Sequence, residues 1–535
     1  RAMKKKYVVV TGGVISGIGK GILSASIARV MKECGVEVNT LKIDPYLNLD
    51  AGTMNPNQHG EVFVTEDGYE ADLDLGHYER FLGKNMRREN NMTAGQVFKS
   101  IIDKERKGDY LGATVQMVPH VTDEIKSRIR KVPGDLIMIE IGGTVGDIEG
   151  EIFLEAVREL WVEEGPENFL FIHVTYVPYL RVTNEFKTKP TQQSVQLLRR
   201  IGIQPQMIAV RSELPIEENE LGKIALFGGL NRQMVYNLPD SENVYDVPRI
   251  VYAYGIHRKI AAWLNLEIEE RFDWNYPKTF VPTRIVIVGK YLGTDDAYKS
   301  ISESITLCGA SKPDVIDSEC FEEMTEEQIK NELRKYDGIV IPGGFGKRGI
   351  EGKIAVIKAA REEDIPILGI CLGMQLMVIE FARNVSHYEN ANSTEFDPLT
   401  PYPVIDIMEE QKAIMKLGGT MRLGAQETPI EEGTLLMDAY NEKIAFERHR
   451  HRYEVNLECF PDLFRNPGEK DENRLTISSL ATFVEAIELP EKRFFLGVQY
   501  HPEFRSKVGN PNPVFELFVK RVRENRIEGI NSALQ

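Results

Sequence analysis

Two short strings place reactive side chains where chemistry is expected. In GICLG (369–373) a cysteine, Cys371, sits between glycines that permit a tight turn from the apolar run IPILGI (365–370) into the helical pattern GMQLMVIEFAR. This is the G-x-nucleophile-x-G elbow, in which the turn projects the nucleophile and the following helix N-terminus favours its anion. A base must accompany it. His501 follows 130 residues later in FFLGVQYHPEF (494–504), with Glu503 two positions on across a proline. Cysteine, imidazole and carboxylate in these roles make a covalent acyl-transfer site. The glycines of IPGGFG (341–346) close a strand with backbone N–H groups suited to an oxyanion. The alternative for Cys371 is a buried core thiol, the commonest fate of free cysteine.

A second chemistry is written near the start. GGVISGIGKG (12–21) follows an apolar strand and precedes the helical ILSASIARVMKECG, the setting in which a helix N-terminus and backbone N–H groups cradle phosphate. Lys20 would supply the point charge. Five residues rather than four separate Gly13 from Gly19, and Gly21 stands where the strict pattern has a hydroxyl. An empty strand-to-helix glycine turn is the alternative. Asp74 in EADLDLGHYERF and Glu140 in DLIMIEI are candidate ligands of a hard cation. Glu140 is the stronger, because a charge inside so apolar a run is costly unless paired or metal-bound. Asp72 and Asp74 equally suit the solvated face of a short strand. Lys187 and Lys189 in EFKTKPTQQS, with Lys223, suggest a second anion site, against the alternative of an exposed lysine pair.

The elements that carry these residues alternate apolar β-rich runs with helical patterns, the signature of wound, mainly parallel α/β sheets. The alternation occurs twice. YVVVT (7–11), TLKI (40–43), DLIMIEI (135–141), FLFIHVT (169–175) and MIAV (207–210) form one series, and RIVIVG (284–289), DGIVIPGG (337–344) and IPILGI the other. LEIEERFDWNYPKTFVPT (266–283) reads as a linker. We therefore expect an N-terminal domain over 1–265, a linker over 266–283 and a C-terminal domain over 284–535. A chain of 535 residues with 42% hydrophobic and 27% charged residues suits such a multidomain globular enzyme. The net charge of −16 argues against nucleic acid as a partner, and the absence of any long apolar run argues against a membrane. The basic start, RAMKKK, lacks a secretory core and reads as cytoplasmic. Five scattered cysteines without CxxC pairs indicate neither a disulfide framework nor a zinc site.

In their order, GGFG, GICLGMQ and YHPE resemble a class I glutamine amidotransferase domain. GGVISGIGKG, DPYLNLDAGTMNPNQHGEVFVTEDG, DLDLGHYERF and KTKPTQ make the front half similar to the P-loop-like amidoligase of the CTP synthase family. That resemblance covers essentially the whole chain. It implies ATP-dependent amination of UTP at C4 through a 4-phosphorylated intermediate, the last step of de novo CTP synthesis. The nitrogen would be ammonia freed from glutamine by Cys371, His501 and Glu503. It implies ATP contacts at Gly17, Ile18, Gly19, Lys20, Gly21 and Lys42, and Mg2+ on Asp74 and Glu140. Pyrimidine nucleotide would meet Ser16, Lys187, Thr188, Lys189, Pro190, Thr191, Gln192 and Lys223, and product CTP the segment Asp147, Ile148 and Glu149. Glutamine would meet Gly344, Leu372, Gly373, Met374, Gln375, Glu395 and Arg452. The family likeness further implies activation by GTP near Arg348, Gly349 and Glu351, feedback inhibition by CTP, and a homotetramer built as a dimer of dimers. Two rivals remain at this point. One is another ATP-dependent amidotransferase, since the variant loop also resembles dethiobiotin synthetase and cobyric acid amide-forming enzymes; the other is a non-catalytic assembly protein.

Overall fold

A computed structural model describes residues 4–276, 282–290, 293, 295–344, 346–409 and 421–535. Residues 277–281 of the expected linker and Phe345 of the IPGGFG string lie outside the described residues. The chain divides into two compact units. One comprises Arg1–Thr53 with Asp74–Asn275, and the other Met54–Leu73 with Tyr276–Gln535.

The first unit is built on a seven-stranded sheet. Its strands run in the order Val235–Pro239, Met207–Ser212, Phe169–Tyr176, Lys6–Gly12, Leu136–Ile141, Val38–Asp44 and Asn91–Thr93, every pairing parallel. Helices cover such a sheet on both faces, so its central strands are continuously apolar rather than alternating. The run from Leu136 to Ile141 is accordingly buried throughout. Register sets the chemistry: Lys42 pairs with Glu140 across neighbouring strands, and Val10 flanks Glu140 on the other side. The expected linker begins as part of this unit, where Trp274 is buried and donates its indole N–H to the Tyr245 carbonyl at 2.7 Å.

The second unit has an eight-stranded sheet in the order Asp314–Asp317, Ile285–Gly289, Gly338–Ile341, Ile367–Ile370, Phe495–Val498, Val484–Glu488, Leu475–Leu480 and Phe464–Arg465. The pairings around Ile285–Gly289 and Ile367–Ile370 are parallel, and Val484–Glu488 runs antiparallel to both neighbours. The mixed α/β, mainly parallel class expected from the sequence is therefore present in both units. A separate hairpin pairs Arg422–Pro429 with Ile444–His451.

The segment Met54–Leu73 interrupts the first unit and folds as part of the second. Its acidic residues hold it there. Glu61 accepts the Ser300 backbone N–H at 3.1 Å and its hydroxyl at 2.5 Å, Glu66 accepts from Arg448 at 2.8 Å, and Glu70 from Arg450 at 3.0 Å. Gly68 and Gly424 permit the closest approach: a Cβ on Gly424 would lie 2.7 Å from the Gly68 nitrogen.

Candidate functional site

In the first unit the glycine loop ends at Gly19, which caps the helix Lys20–Glu33 in the left-handed region at φ 86°. Only glycine adopts that conformation without strain. Lys20 opens the helix and turns its ammonium back onto the carbonyls of Ile141 and Gly143, at 2.9 and 2.6 Å. Burial, with Lys42 adding to it, pushes Lys20 down to about 8 against the pull of Glu140. Lys42 ion-pairs with Asp74, lies 3.4 Å from Glu140 and 3.7 Å from Asp44. Burial raises the Glu140 and Asp44 carboxyls above the ordinary carboxylate range, while Lys42 opposes both shifts. Tyr78 donates its hydroxyl to Glu140.

The departure at Gly21 now has a physical reason. A Cβ there would lie 2.9 Å from Asp74 Oδ1 and 3.6 Å from Glu140 Oε2. The two carboxylates thus converge on the first helical turn, and glycine leaves the space open between them. Oxygen donors of opposite charge around a lysine, beside a phosphate-type loop, fit a hard divalent cation such as Mg2+.

The structure brings Lys20, Lys42, Asp74 and Glu140 together, and adds Asp44 and Tyr78, which no sequence motif marks. Lys187 and Lys223 differ from this quartet, in which Lys42 and Glu140 are buried and Lys20 and Asp74 half-buried. Lys187 and Lys223 are exposed, paired with Glu185 and Glu220 respectively. The helix Lys189–Ile201, which begins within the KTKPTQ string, is nonetheless tied to the glycine loop. His173 bridges Thr11 at 2.8 Å and Ser194 at 2.7 Å, and a Cβ on Gly13 would fall 1.6 Å from Ser194 Oγ. Burial drives His173 down to about 3, so it bridges as a neutral ring. Ile148 is almost fully exposed between Asp147 and Glu149, and Asp147 accepts the Thr144 N–H at 3.3 Å. Ser16 sits on the exposed part of the loop.

In the second unit Cys371 stands between the strand Ile367–Ile370 and the helix Leu372–Asn384, with φ 53° and ψ −107°. That strained conformation is the elbow the spacing predicts. Its glycines are required by contact: a Cβ on Gly369 would meet Met377 Sδ at 2.4 Å, and one on Gly373 the Ile341 carbonyl at 2.1 Å. His501 Nδ1 lies 2.6 Å from Glu503 Oε1, and the ring is hydrogen-bonded to Cys371. Burial alone would push this imidazole down, but the charges of Glu503 and Cys371 outweigh it and hold His501 up at about 10. Gly343 comes close to both groups, since its Cβ would lie 2.9 Å from His501 Cε1 and 3.5 Å from Cys371 Cβ.

These residues border a cavity of about 250 Å³, lined also by Lys290, Gly344 and Arg450, and walled by Asn55, Pro56, Glu61 and Val62 from the inserted segment. Around it lie the other expected glutamine positions. Leu372, Gly373, Met374 and Gln375 form the buried first turn after the elbow. Gln375 donates to the Tyr453 carbonyl at 2.9 Å. Burial raises Glu395, opposed by a hydrogen bond from the Gly346 N–H and by the charge of Arg452. Arg348 pairs with Glu319, and Glu351 with Arg383 at 2.9 Å, on either side of the Gly349 cap.

A family model described as CTP synthase N-terminus matches residues 6–266, and one described as Glutamine amidotransferase class-I matches 294–521. The CTP synthase of Thermotoga maritima is 66% identical over 523 residues, spanning 97% of this chain and 99% of its own. The chain belongs to the CTP synthase family. That of Methanothermobacter thermautotrophicus is 49% identical over 97% of this chain and 98% of its own. A solved structure, the glutaminase domain of Trypanosoma brucei CTPS with bound acivicin, is 38% identical, covers 45% of this chain and 94% of that one, and has a TM-score of 0.41. Membership of the CTP synthase family makes the chain a glutamine-hydrolysing ligase, its two matched models corresponding to an amidoligase half and an amidotransferase half. It also removes the non-catalytic assembly protein and the other amidotransferases as readings.

Proposed function

We propose that the chain aminates UTP at C4 to give CTP, with ATP activating the C4 oxygen in the front unit and glutamine supplying nitrogen in the rear. The observation that carries the nitrogen half is the array of Cys371, His501 and Glu503, in which a strained thiol faces an imidazole held cationic by a carboxylate at 2.6 Å.

In the rear unit the Cys371 thiolate attacks the side-chain carbonyl carbon of glutamine, and its C–N bond breaks as His501 delivers a proton to the departing nitrogen. Ammonia leaves, and water hydrolyses the thioester to glutamate. Local release matters because free ammonia is mostly protonated at neutral pH. In the front unit Lys20 and Lys42 neutralise phosphate charge while the γ-phosphoryl group moves from ATP to the C4 oxygen of UTP. Asp74 and Glu140 would hold Mg2+, which would supply positive charge to offset that of the phosphates. Ammonia then attacks C4 and expels phosphate. Ser16, Lys187 to Gln192 and Lys223 are assigned to the pyrimidine nucleotide, and Asp147, Ile148 and Glu149 to CTP as feedback inhibitor. Gly344, Leu372 to Gln375, Glu395 and Arg452 are assigned to glutamine. GTP activation, the homotetramer and a cytoplasmic location belong to the same reading. So does the functional division at 1–265, 266–283 and 284–535, with the refinement that 54–73 serves the rear half.

The test pairs two substitutions. Cys371→Ala should abolish CTP formation from glutamine and leave formation from ammonium salts, whereas Glu140→Ala should fail with either nitrogen source while glutamine hydrolysis persists. Loss of both activities in Cys371→Ala, or CTP synthesis in Glu140→Ala, would contradict the assignment.

A further inference from the structure

Among the described residues three polar groups neighbour the sulfur of Cys371, and two of them lie outside the triad. His501 is hydrogen-bonded to it, the Arg450 carbonyl faces it at 3.8 Å, and Nε2 of Gln499 lies 3.7 Å away. Gln499 is fully buried, two residues before His501, and its backbone N–H is fixed on the Glu485 carbonyl at 2.8 Å.

Which end of a carboxamide faces a neighbour is decided by neighbours that can act in one way only. The Tyr453 carbonyl can only accept, so the end of Gln375 that meets it at 2.9 Å is the nitrogen. The same nitrogen lies 3.1 Å from one end of the Gln499 carboxamide, which must then be the oxygen. The nitrogen of Gln499 is left pointing at the sulfur. A carbonyl and an N–H therefore flank one sulfur atom. The carbonyl suits a thiol, which can donate to it; once the proton is gone the carbonyl repels the anion and the N–H attracts it.

We propose that Gln499 donates a hydrogen bond to the Cys371 thiolate, and that Gln375 is the positioning residue that aims it. This rests on the reading of Cys371 as nucleophile. It gives Gln375 a task besides contact with glutamine: its amide nitrogen is committed to Tyr453 and Gln499, so only its oxygen faces a ligand. The chain joins the helix after the elbow, the segment after Arg452 and the strand end before His501. Three separate elements thus fix one sulfur.

The experiment follows carbamidomethylation of individual cysteines by iodoacetamide from pH 5 to 10, in the full chain, with peptide mass spectrometry. Wild type and Cys371→Ser come first. If residue 371 reacts no faster than the exposed Cys320 and Cys459, and glutamine does not protect it, the nucleophile reading itself fails. With that reading standing, Gln499→Met removes the donor at similar length. Its alkylation midpoint should rise by about half to one pH unit, and glutaminase kcat at neutral pH should fall about 3- to 10-fold with KM within about twofold. Gln499→Glu should move the midpoint further in the same direction, and Gln375→Met by less. Glu61, Lys290, Arg450, His501 and Glu503, which share the cavity, and His449 and His451 beside His501 are unchanged in all these variants. A wild-type thermal unfolding profile, with ammonia-dependent CTP synthesis at the wild-type rate, shows that each variant is folded, and Gln375→Met, one step from the sulfur, replaces Gln499→Met should that fail this control. A folded variant with an unmoved midpoint overturns the proposal.

Discussion

Gly343→Ala tests the rear site by adding one methyl group. The Cβ would appear 2.9 Å from His501 Cε1 and 3.5 Å from Cys371 Cβ. The second distance is an ordinary contact, but the first requires the imidazole to retreat by about half an ångström. It has little freedom to do so, because Nδ1 is held on Glu503 at 2.6 Å and the ring stacks on Phe504 with centroids 5.1 Å apart. Catalytic groups tolerate about 0.5 Å of displacement, and a full ångström costs about a hundredfold. The expected loss in glutamine-dependent kcat is therefore about 10-fold, or about 1.4 kcal/mol of barrier. Glutamate release from glutamine is the assay, with ammonia-dependent CTP formation as the internal reference. Gly529→Ala, in a helix where the added Cβ meets nothing within 4 Å, should change neither rate. Gly343→Ala retaining more than half of the wild-type glutaminase rate would refute the crowding argument.

Gly21→Ser would restore the hydroxyl of the strict phosphate-loop pattern, yet its Cβ would sit 2.9 Å from Asp74 Oδ1; CTP synthesis should fall at least about 10-fold with either nitrogen source while glutaminase stays intact, as steady-state rates with and without ammonium will show. The pH dependence of stability follows from His501. Its folded value, about 10, exceeds its ordinary 6.5, so the contribution is fully present below pH 6.5 and lost as the pH rises through 10. The melting temperature of wild type should exceed that of Glu503→Gln most at pH 6, and the gap should close by pH 10; a gap constant across this range would show that the ion pair is not its source.

How much was legible depended on how local each signal was. The elbow at Cys371 and the His501–Pro502–Glu503 string are complete within a few residues, because the turn and the strand end that create them are themselves short. Glu140 stood out because burial of a lone carboxylate is costly, and the structure shows the offsetting partners, Lys42 and Tyr78. Gln499 stands two residues before His501, yet nothing in the local sequence marks it. Its significance depends on Gln375 and Tyr453, 124 and 46 residues away. The same holds for 54–73. Read along the chain it belongs to the front half, but Glu61, Glu66 and Glu70 find Ser300, Arg448 and Arg450 more than 200 residues on. Charge patterning gives no hint of partners at that range. Asp44 reads in the sequence as an ordinary strand-end residue after Lys42; only its hydrogen bond from Asn91 and its ion pair with Lys42 make it part of the cluster.

The two sites differ in how their charges are balanced, and the proposed division of labour follows from that difference. Cys371, His501 and Glu503 form a closed set: the imidazolium is stabilised by groups within the array, and no outside ion is needed to keep it charged. The front cluster is open. Lys20 and Lys42 face Asp44, Asp74 and Glu140, and burial pushes Lys20 down while pushing Asp44 and Glu140 up, so each charge is held against its own desolvation. Under the proposed function, a triphosphate arriving with a divalent cation would bring both signs at once, giving the lysines anions and the carboxylates a metal. Ligand binding would then relieve the strain of the front cluster, whereas the rear needs only glutamine in its cavity. The inserted segment joins them along the chain: Asn55, Pro56, Glu61 and Val62 wall the cavity at Cys371, and the same segment ends at Leu73, immediately before Asp74.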